Sequence, residues 1–278
     1  MNAIKSILLH LDAAPSGATR LWVARELARQ HEATVTALYA VTSSFAELPF
    51  ALAADMPAAQ ILQDIDADRR TRARAVFDKG TTKAGAPIAW AELSGAPIIP
   101  GFIEQALCAD LLVLGQREPD SPLAHDVPPD FVESVLIGSG RPALIVPYAG
   151  DLDSIGGNAL VAWNATRESA HALTASLPLL RAASQVEVVS WAEEPASDRG
   201  ASLDVKRYLQ LHGIEATVHH HKAAPSEIGE SLLSLASDFN SDCLVMGCYG
   251  HSRARELVLG GATRTVLRSM TLPILMAH

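Results

Sequence analysis

Three glycines, Gly247, Gly250 and Gly260, follow the short apolar run CLVM (243–246), with two and then nine residues between them. Glycine lets a backbone turn with φ > 0 and pass close to a ligand, and a helix opening after the last glycine would add amides carrying partial positive charge. The chemistry that suits such a loop is the holding of a polyphosphate. The spacing is neither the P-loop, which needs a Lys followed by Ser or Thr, nor the GxGxxG dinucleotide fingerprint. A loop that only turns a corner fits the same spacing. Within it, His251, Arg253 and Arg255 either approach phosphate or are solvated.

The rest of the chain offers no catalytic constellation: no Gly-x-Ser-x-Gly elbow, no HExxH and no Cys with an evident His partner. The three cysteines, Cys108, Cys243 and Cys248, contain no CxxC, so neither a disulfide framework nor a zinc ribbon is expected. They read as small buried apolar groups, with Cys248 excepted because it falls in the loop. In the run HHHK (219–222) only His219 and His221 share a strand face, and a solvated strand end is favoured over a metal site. The mixed charges of 64–74 read as a solvated helix face carrying short-range ion pairs.

Composition limits the classes that remain. Of 278 residues, 49% are hydrophobic and 19% charged, which is globular, and the 5% aromatic share points to a core of Ala, Leu, Val and Ile. The net charge of −9 and the absence of a basic stripe argue against nucleic acid. The first apolar run is broken by His10 and Asp12, too short for a signal segment, and no run reaches membrane-spanning length. A reducing cytoplasm is the expected location.

An internal repeat organises the elements. ADLLVLGQ (109–116) matches SDCLVMGC (241–248) at an offset of 132, RPALIVPY (141–148) parallels LPILMAH (272–278) at 131, and GAPIIPGFIEQAL resembles AAPSEIGESLLSL at 128. The expected domains are 1–149 and 150–278, joined around the Gly- and Asp-rich stretch 148–158. Each copy alternates strand and helix. The first has KSILLHL, a helix capped by Ser16, ATVTALYAV, a long helix over 58–84, PIAWAEL, a helix over 98–108, DLLVLG, a last helix and PALIVP. The second has NALVAW, ESAHALTASLPLL, QVEVVSW, SLDVKRYLQLHG, EATVHHH, PSEIGESLLSLAS, DCLVMG, TRTVLRS and PILMAH. The expectation is two tandem open five-stranded parallel α/β sheets flanked by helices, with ligands beyond the strand C-termini. Gly247–Gly260 is then the loop leaving the fourth strand of the second copy.

This loop, set between DCLVMG and TRTVLRSMTLPILM, resembles the G-x2-G-x9-G-(Ser/Thr) ATP-binding motif of the universal stress protein family. With the two copies, the whole chain resembles a tandem member, and the resemblance implies a Rossmann-like fold of the adenine-nucleotide α-hydrolase type. It also implies ATP, with or without Mg²⁺, lying across the strand ends. Carried over, the second copy offers Ala162, Trp163 and Asn164 after its first strand and Ser190, Trp191 and Ala192 after its second. Met246, Gly247, Gly250, Gly260, Gly261, Ala262 and Thr263 follow as the phosphate side. Asn164 stands where the family has Asp, and Gly261 where it usually has a hydroxyl.

In the first copy Asp12 and Val41 leave the adenosine side looking intact, but Glu118 replaces the second glycine and Pro129-Asp130 occupies the helix start. Carboxylates there repel triphosphate and proline removes an amide donor, so the first phosphate loop is read as degenerate. The functional expectation is a stress-response binding and signalling module that takes an adenine nucleotide in its C-terminal domain, with hydrolysis slow at most. The alternative is a nucleotide-free interaction protein with both pockets decayed. An α-hydrolase enzyme lacks its SGGxDS-type loop here. The family's last strands pair across a dimer axis, so Ala143–Val146 and Ile274–Ala277 are expected to pair within the chain as a pseudo-dimer, with association of two chains left open.

Overall fold

Central strands of a parallel sheet are covered on both faces, so they form from unbroken apolar runs. That pattern holds in a computed structural model of the chain, which describes residues 4–44, 56–81, 87–93, 97–150, 152–191, 204–224, 226–249 and 261–278. Two compact units divide at Ile4–Arg141 and Pro142–His278.

In the first unit, β1 (Ser6–Leu11), α1 (Gly17–His31), β2 (Thr34–Tyr39), α2 (Met56–Thr81), β3 (Ile88–Glu92), α3 (Ile98–Ala106), β4 (Leu111–Gly115) and α4 (Phe131–Ser139) follow in order. The strands lie as β3-β2-β1-β4, all parallel. β1 and β4 are almost wholly buried, whereas every residue of the edge strand β3 is intermediate or exposed.

The second unit holds β5 (Ala143–Val146), β6 (Asn158–Trp163), α5 (Arg167–Leu180), β7 (Gln185–Ser190), α6 (Val205–Leu211), β8 (Thr217–His220), α7 (Ile228–Asp238), β9 (Cys243–Gly247), α8 (Ala262–Ser269) and β10 (Ile274–Ala277). Its order is β5-β10-β9-β6-β7-β8, parallel except for β5, which runs antiparallel to β10 with Leu144 opposite Leu275. The expected pairing of 143–146 with 274–277 is therefore present. It also draws β5, the last strand of the first sequence repeat, into the second unit.

The repeat has a polar signature that explains its strongest match. Asp242, just before β9, accepts hydrogen bonds from Gly157 N (3.0 Å), Asn158 N (3.0 Å) and Ser154 Oγ (2.5 Å) at the start of β6. Asp110, just before β4, accepts from Lys5 N (2.8 Å) and Ser6 N (3.0 Å) at the start of β1. Each carboxylate pins two neighbouring strands at their N-terminal ends. Asp242→Ala leaves those backbone donors without their charged acceptor, and a loss of about 2 kcal/mol is expected in urea unfolding. An unchanged unfolding midpoint would remove this role.

Two helix starts carry the side-chain cap that local rules call for, and the start of α1 does not. Thr166 caps α5 by accepting from Ser169 N, and Asp204 caps α6 by accepting from Arg207 N. Ser16 does not cap α1: its backbone is already helical (φ −61°, ψ −12°) and its hydroxyl takes no amide. The chain enters that helix instead through a turn at Asp12, whose Oδ1 accepts from Ala14 N (3.0 Å).

Two other sequence expectations are corrected by burial. Cys108 is exposed, whereas Cys248 is buried together with Cys243, its amide donating to Ala277 O (2.9 Å). Burial pushes the Cys243 thiol up to about 12. Along α2, Arg74–Asp78 (2.9 Å) and Arg72–Asp68 (3.9 Å) are surface pairs as expected, but Asp66 and Arg69 turn inward and join a network with Ser44 and Asp126.

Candidate functional site

The C-terminal ends of β6, β7 and β9 gather the described part of the expected second-unit site. Ala162 stands in register with Met246 on one side and Val189 on the other, and Trp163 with Ser190. Trp191 follows directly. Thr166 Oγ1 donates to Asn164 Oδ1 (3.1 Å) while accepting from Ser169 N (3.3 Å), and Ser169 Oγ accepts from Asn164 N and donates to Ala162 O (both 3.3 Å). These bonds fix the turn after β6 and leave Nδ2 as the part of the exposed Asn164 side chain with hydrogens to offer.

Gly247 is held by packing. A Cβ there would lie 2.5 Å from Ser169 N and 2.6 Å from Glu168 C, so only glycine lets the first turn of α5 come against the end of β9. Gly261 is the N-cap of α8 with φ −54°, and among the described residues no side chain caps the helix amides. Ala262 and Thr263 form its first turn, with Thr263 buried. The Trp191 indole N–H is buried and has no hydrogen-bond partner among the described residues. Gly250, Gly260, His251, Arg253, Arg255 and Ala192 lie outside the described residues.

The corresponding edge of the first unit is built differently. His10, Asp12, Arg20, Gly115 and Glu118 border a crevice of about 60 Å³ at the ends of β1 and β4. Arg20 is 2% exposed; its Nη1 donates to His10 O and His10 Nδ1 (both 3.1 Å), and its Nη2 pairs with Asp12. His10 Nε2 lies 2.8 Å from Ala40 O and so carries the ring hydrogen, leaving Nδ1 to accept from Arg20. Burial, with the neighbouring guanidinium, lowers the His10 pKa to about 4 despite the attraction of Asp12. For Asp12, burial acts upward, but Arg20 and His10 outweigh it and hold the carboxyl below its usual range.

On the side of the first copy expected to meet adenosine, Asp12 already has partners. The Asp12 carboxylate is engaged by Arg20 and by Ala14 N. Val41 lies beyond the end of β2, and Pro129 lines the crevice beside Asp130, which N-caps α4 without bonding its amides. The sequence reading passed over Arg20. A signal was present: Arg20 falls within the stripe Gly17, Leu21, Ala24, Leu27 and Ala28, which is the buried face of α1.

At the HHHK strand end a hydrogen bond joins His219 Nε2 to Glu187 Oε2 (2.6 Å), and the His219 ring stacks on Phe239. Among the described residues no group of three potential ligands surrounds a metal position. No helix among them is long and apolar enough to cross a membrane.

Comparison with known proteins supplies the family. A sequence model described as the Universal stress protein family matches residues 150–278. A universal stress protein of Synechocystis sp. is 44% identical over 46 residues, a segment spanning 16% of this chain and 16% of that protein. The crystal structure of a universal stress protein from Archaeoglobus fulgidus shares the fold over 98% of this chain and 95% of its own, with a TM-score of 0.68 and 16% identity. A putative universal stress protein from Pseudomonas aeruginosa does so over 99% and 93%, with a TM-score of 0.57 and 18% identity. Residues 150–278 thus match the universal stress protein family, and the same order of elements is repeated ahead of them.

Proposed function

We propose that the second unit binds an adenine nucleotide, ATP in the first instance, across the ends of β6, β7 and β9, and that the chain acts as a binding and signalling module. The observation that carries this reading is an excess of unmatched donors among the described residues of that edge. Trp191 Nε1 has no partner, Asn164 offers Nδ2, and the N-terminus of α8 is uncapped. A ligand rich in acceptors and negative charge answers all three.

In this arrangement Ala162 and Trp163 floor the site, Trp191 and Asn164 offer donors, and the amides from Gly261 through Thr263 face phosphate, with Gly250 and Gly260 completing the loop. Met246 and Gly247 set where that loop departs. Asn164 supplies no carboxylate for Mg²⁺, so hydrolysis, which depends on charge neutralisation by a held metal, is slow at most. The repeat boundary near residue 150 belongs to this proposal, as does a cytoplasmic location.

Gly250→Glu gives the test. It places in the second unit the residue type that Glu118 supplies in the first, adding a charge and a side chain where backbone must approach phosphate. Calorimetric titration of the intact chain with ATP is expected to show at least a tenfold loss of affinity, about 1.4 kcal/mol, with the thermal midpoint of the free protein unmoved. Equal affinity in both proteins would remove the phosphate role of the loop. No binding by the wild-type chain would leave it an interaction protein.

A further inference from the structure

We propose that the crevice of the first unit is shut from within: Arg20 fills its floor, and residues 116–129 form a lid latched over its mouth by Asp126.

The floor is distinctive to this copy. Counted from Asp12 and Asn164, the position of Arg20 in α1 is that of Ala172 in α5, and Ala172 is buried with no side chain to extend. A Cβ on Gly115 would stand 3.1 Å from Arg20 Cδ and Nη1, whereas one on Gly247 would meet the α5 backbone itself. The guanidinium therefore occupies in the first unit the space that helix backbone takes in the second. His10 and Asp12 hold it there from two sides, so the groups that could meet a ligand are spent on one another.

The latch joins three parts of the first unit that are distant in sequence. Thr42 N, just past β2, donates to Asp126 O (2.7 Å), and Arg69 of α2 places Nη2 3.1 Å from Asp126 Oδ1. Asp126 is 1% exposed. Asp66, on the same helix, accepts from Ser44 Oγ (2.7 Å) and Ser44 N (3.0 Å) and steadies Arg69 at 3.5 Å. Turns at Ala124 N to Ser121 O and Asp126 N to Leu123 O (both 2.9 Å) shape the lid locally. Glu118, Ser121, Leu123 and Ala124 bring it over the crevice, whose volume of about 60 Å³ is well below the several hundred Å³ of a cofactor site. A segment tied down mainly at one point opens locally before the core does.

Hydrogen exchange on the full chain tests this. In Arg69→Ala, peptides covering 116–129 are expected to exchange at least tenfold faster while those covering β1 and β4 keep their rates. Asp126→Asn should change the same peptides in the same direction, and adding it to Arg69→Ala should add little, since the Arg69–Asp126 contact is already gone in the single variant. Unchanged exchange of 116–129 in folded Arg69→Ala overturns the latch. Should neither variant fold, the wild-type chain decides by NMR. The amides of Thr42, Ala124 and Asp126 are expected to share one opening that precedes global unfolding, and exchange of all three only through global unfolding overturns it.

Discussion

Gly247→Ala is expected to destabilise the chain by about 3 kcal/mol, the upper part of the range for overpacking a close contact. The added methyl would sit 2.5 Å from Ser169 N, 2.6 Å from Glu168 C and 2.9 Å from Glu168 O. All three are backbone atoms at the start of α5, a helix whose buried face includes Ala172, Leu173, Ser176 and Leu177, so relief requires moving the helix as a body. Gly115→Ala in the first unit is the control. There the methyl would meet the Arg20 side chain, not backbone, at 3.1 Å, a contact relieved by a shift of a few tenths of an ångström, and a loss of about 1 kcal/mol is expected. Urea unfolding of the two variants beside the wild type measures both. Equal losses would mean that helix backbone is not what Gly247 accommodates.

That result bears on how the glycine motif is interpreted. The first glycine is required by helix-to-strand packing whether or not a ligand is present, so its replacement cannot report on phosphate binding. Gly250, which lies outside the described residues, is therefore the position at which the phosphate role is tested.

The sequence carried most of the architecture because the physics that sets it is local or periodic. Runs such as SILLHL and NALVAW are long enough, apolar enough and evenly enough spaced by helices to require a parallel sheet buried on both faces. Thr166 and Asp204 precede helices in the ordinary way and cap them. Ser16 shows where that logic fails, since an Asp four residues earlier had already turned the chain. The grouping of β5 with β10 was readable as a pairing, but the break before Pro142 is a property of packing density and leaves no mark in composition. Candidate site residues were placed by position alone; strand register sets Ala162 opposite Met246 and Trp163 opposite Ser190. The Arg69–Asp126 and Arg20–His10 contacts were not readable, because nothing local to either partner specifies the other. Arg69 in particular sits among charges that are otherwise solvated.

His10 gives the first unit a dependence on pH whose sign is fixed by its surroundings. In the unfolded chain its imidazole protonates near the ordinary value of 6.5; in the folded chain burial, then the adjacent Arg20, lowers that to about 4. Between these values the unfolded state binds the proton and the folded state does not. Stability from this group is therefore complete above pH 6.5 and falls as the pH drops toward 4, by about 3 kcal/mol over the whole interval. His31, half buried beside Lys5, is lowered as well and adds a smaller loss of the same sign. Asp12 is held below the usual carboxylate range and acts only at more acid pH, so it does not offset the loss. Protonation would also force a second hydrogen onto Nδ1, which now accepts from Arg20 at 3.1 Å, and would set two cations against each other at the floor of the crevice. Unfolding free energies of the wild type at pH 7, 6, 5 and 4.5 should decline steadily. His10→Asn, which loses the ring contacts to Phe102 and Phe131, should be less stable at pH 7 yet show a much flatter profile through the same interval. A wild-type profile level from pH 7 to 4.5, or a variant that keeps the wild-type slope, would show that His10 is not the group responsible.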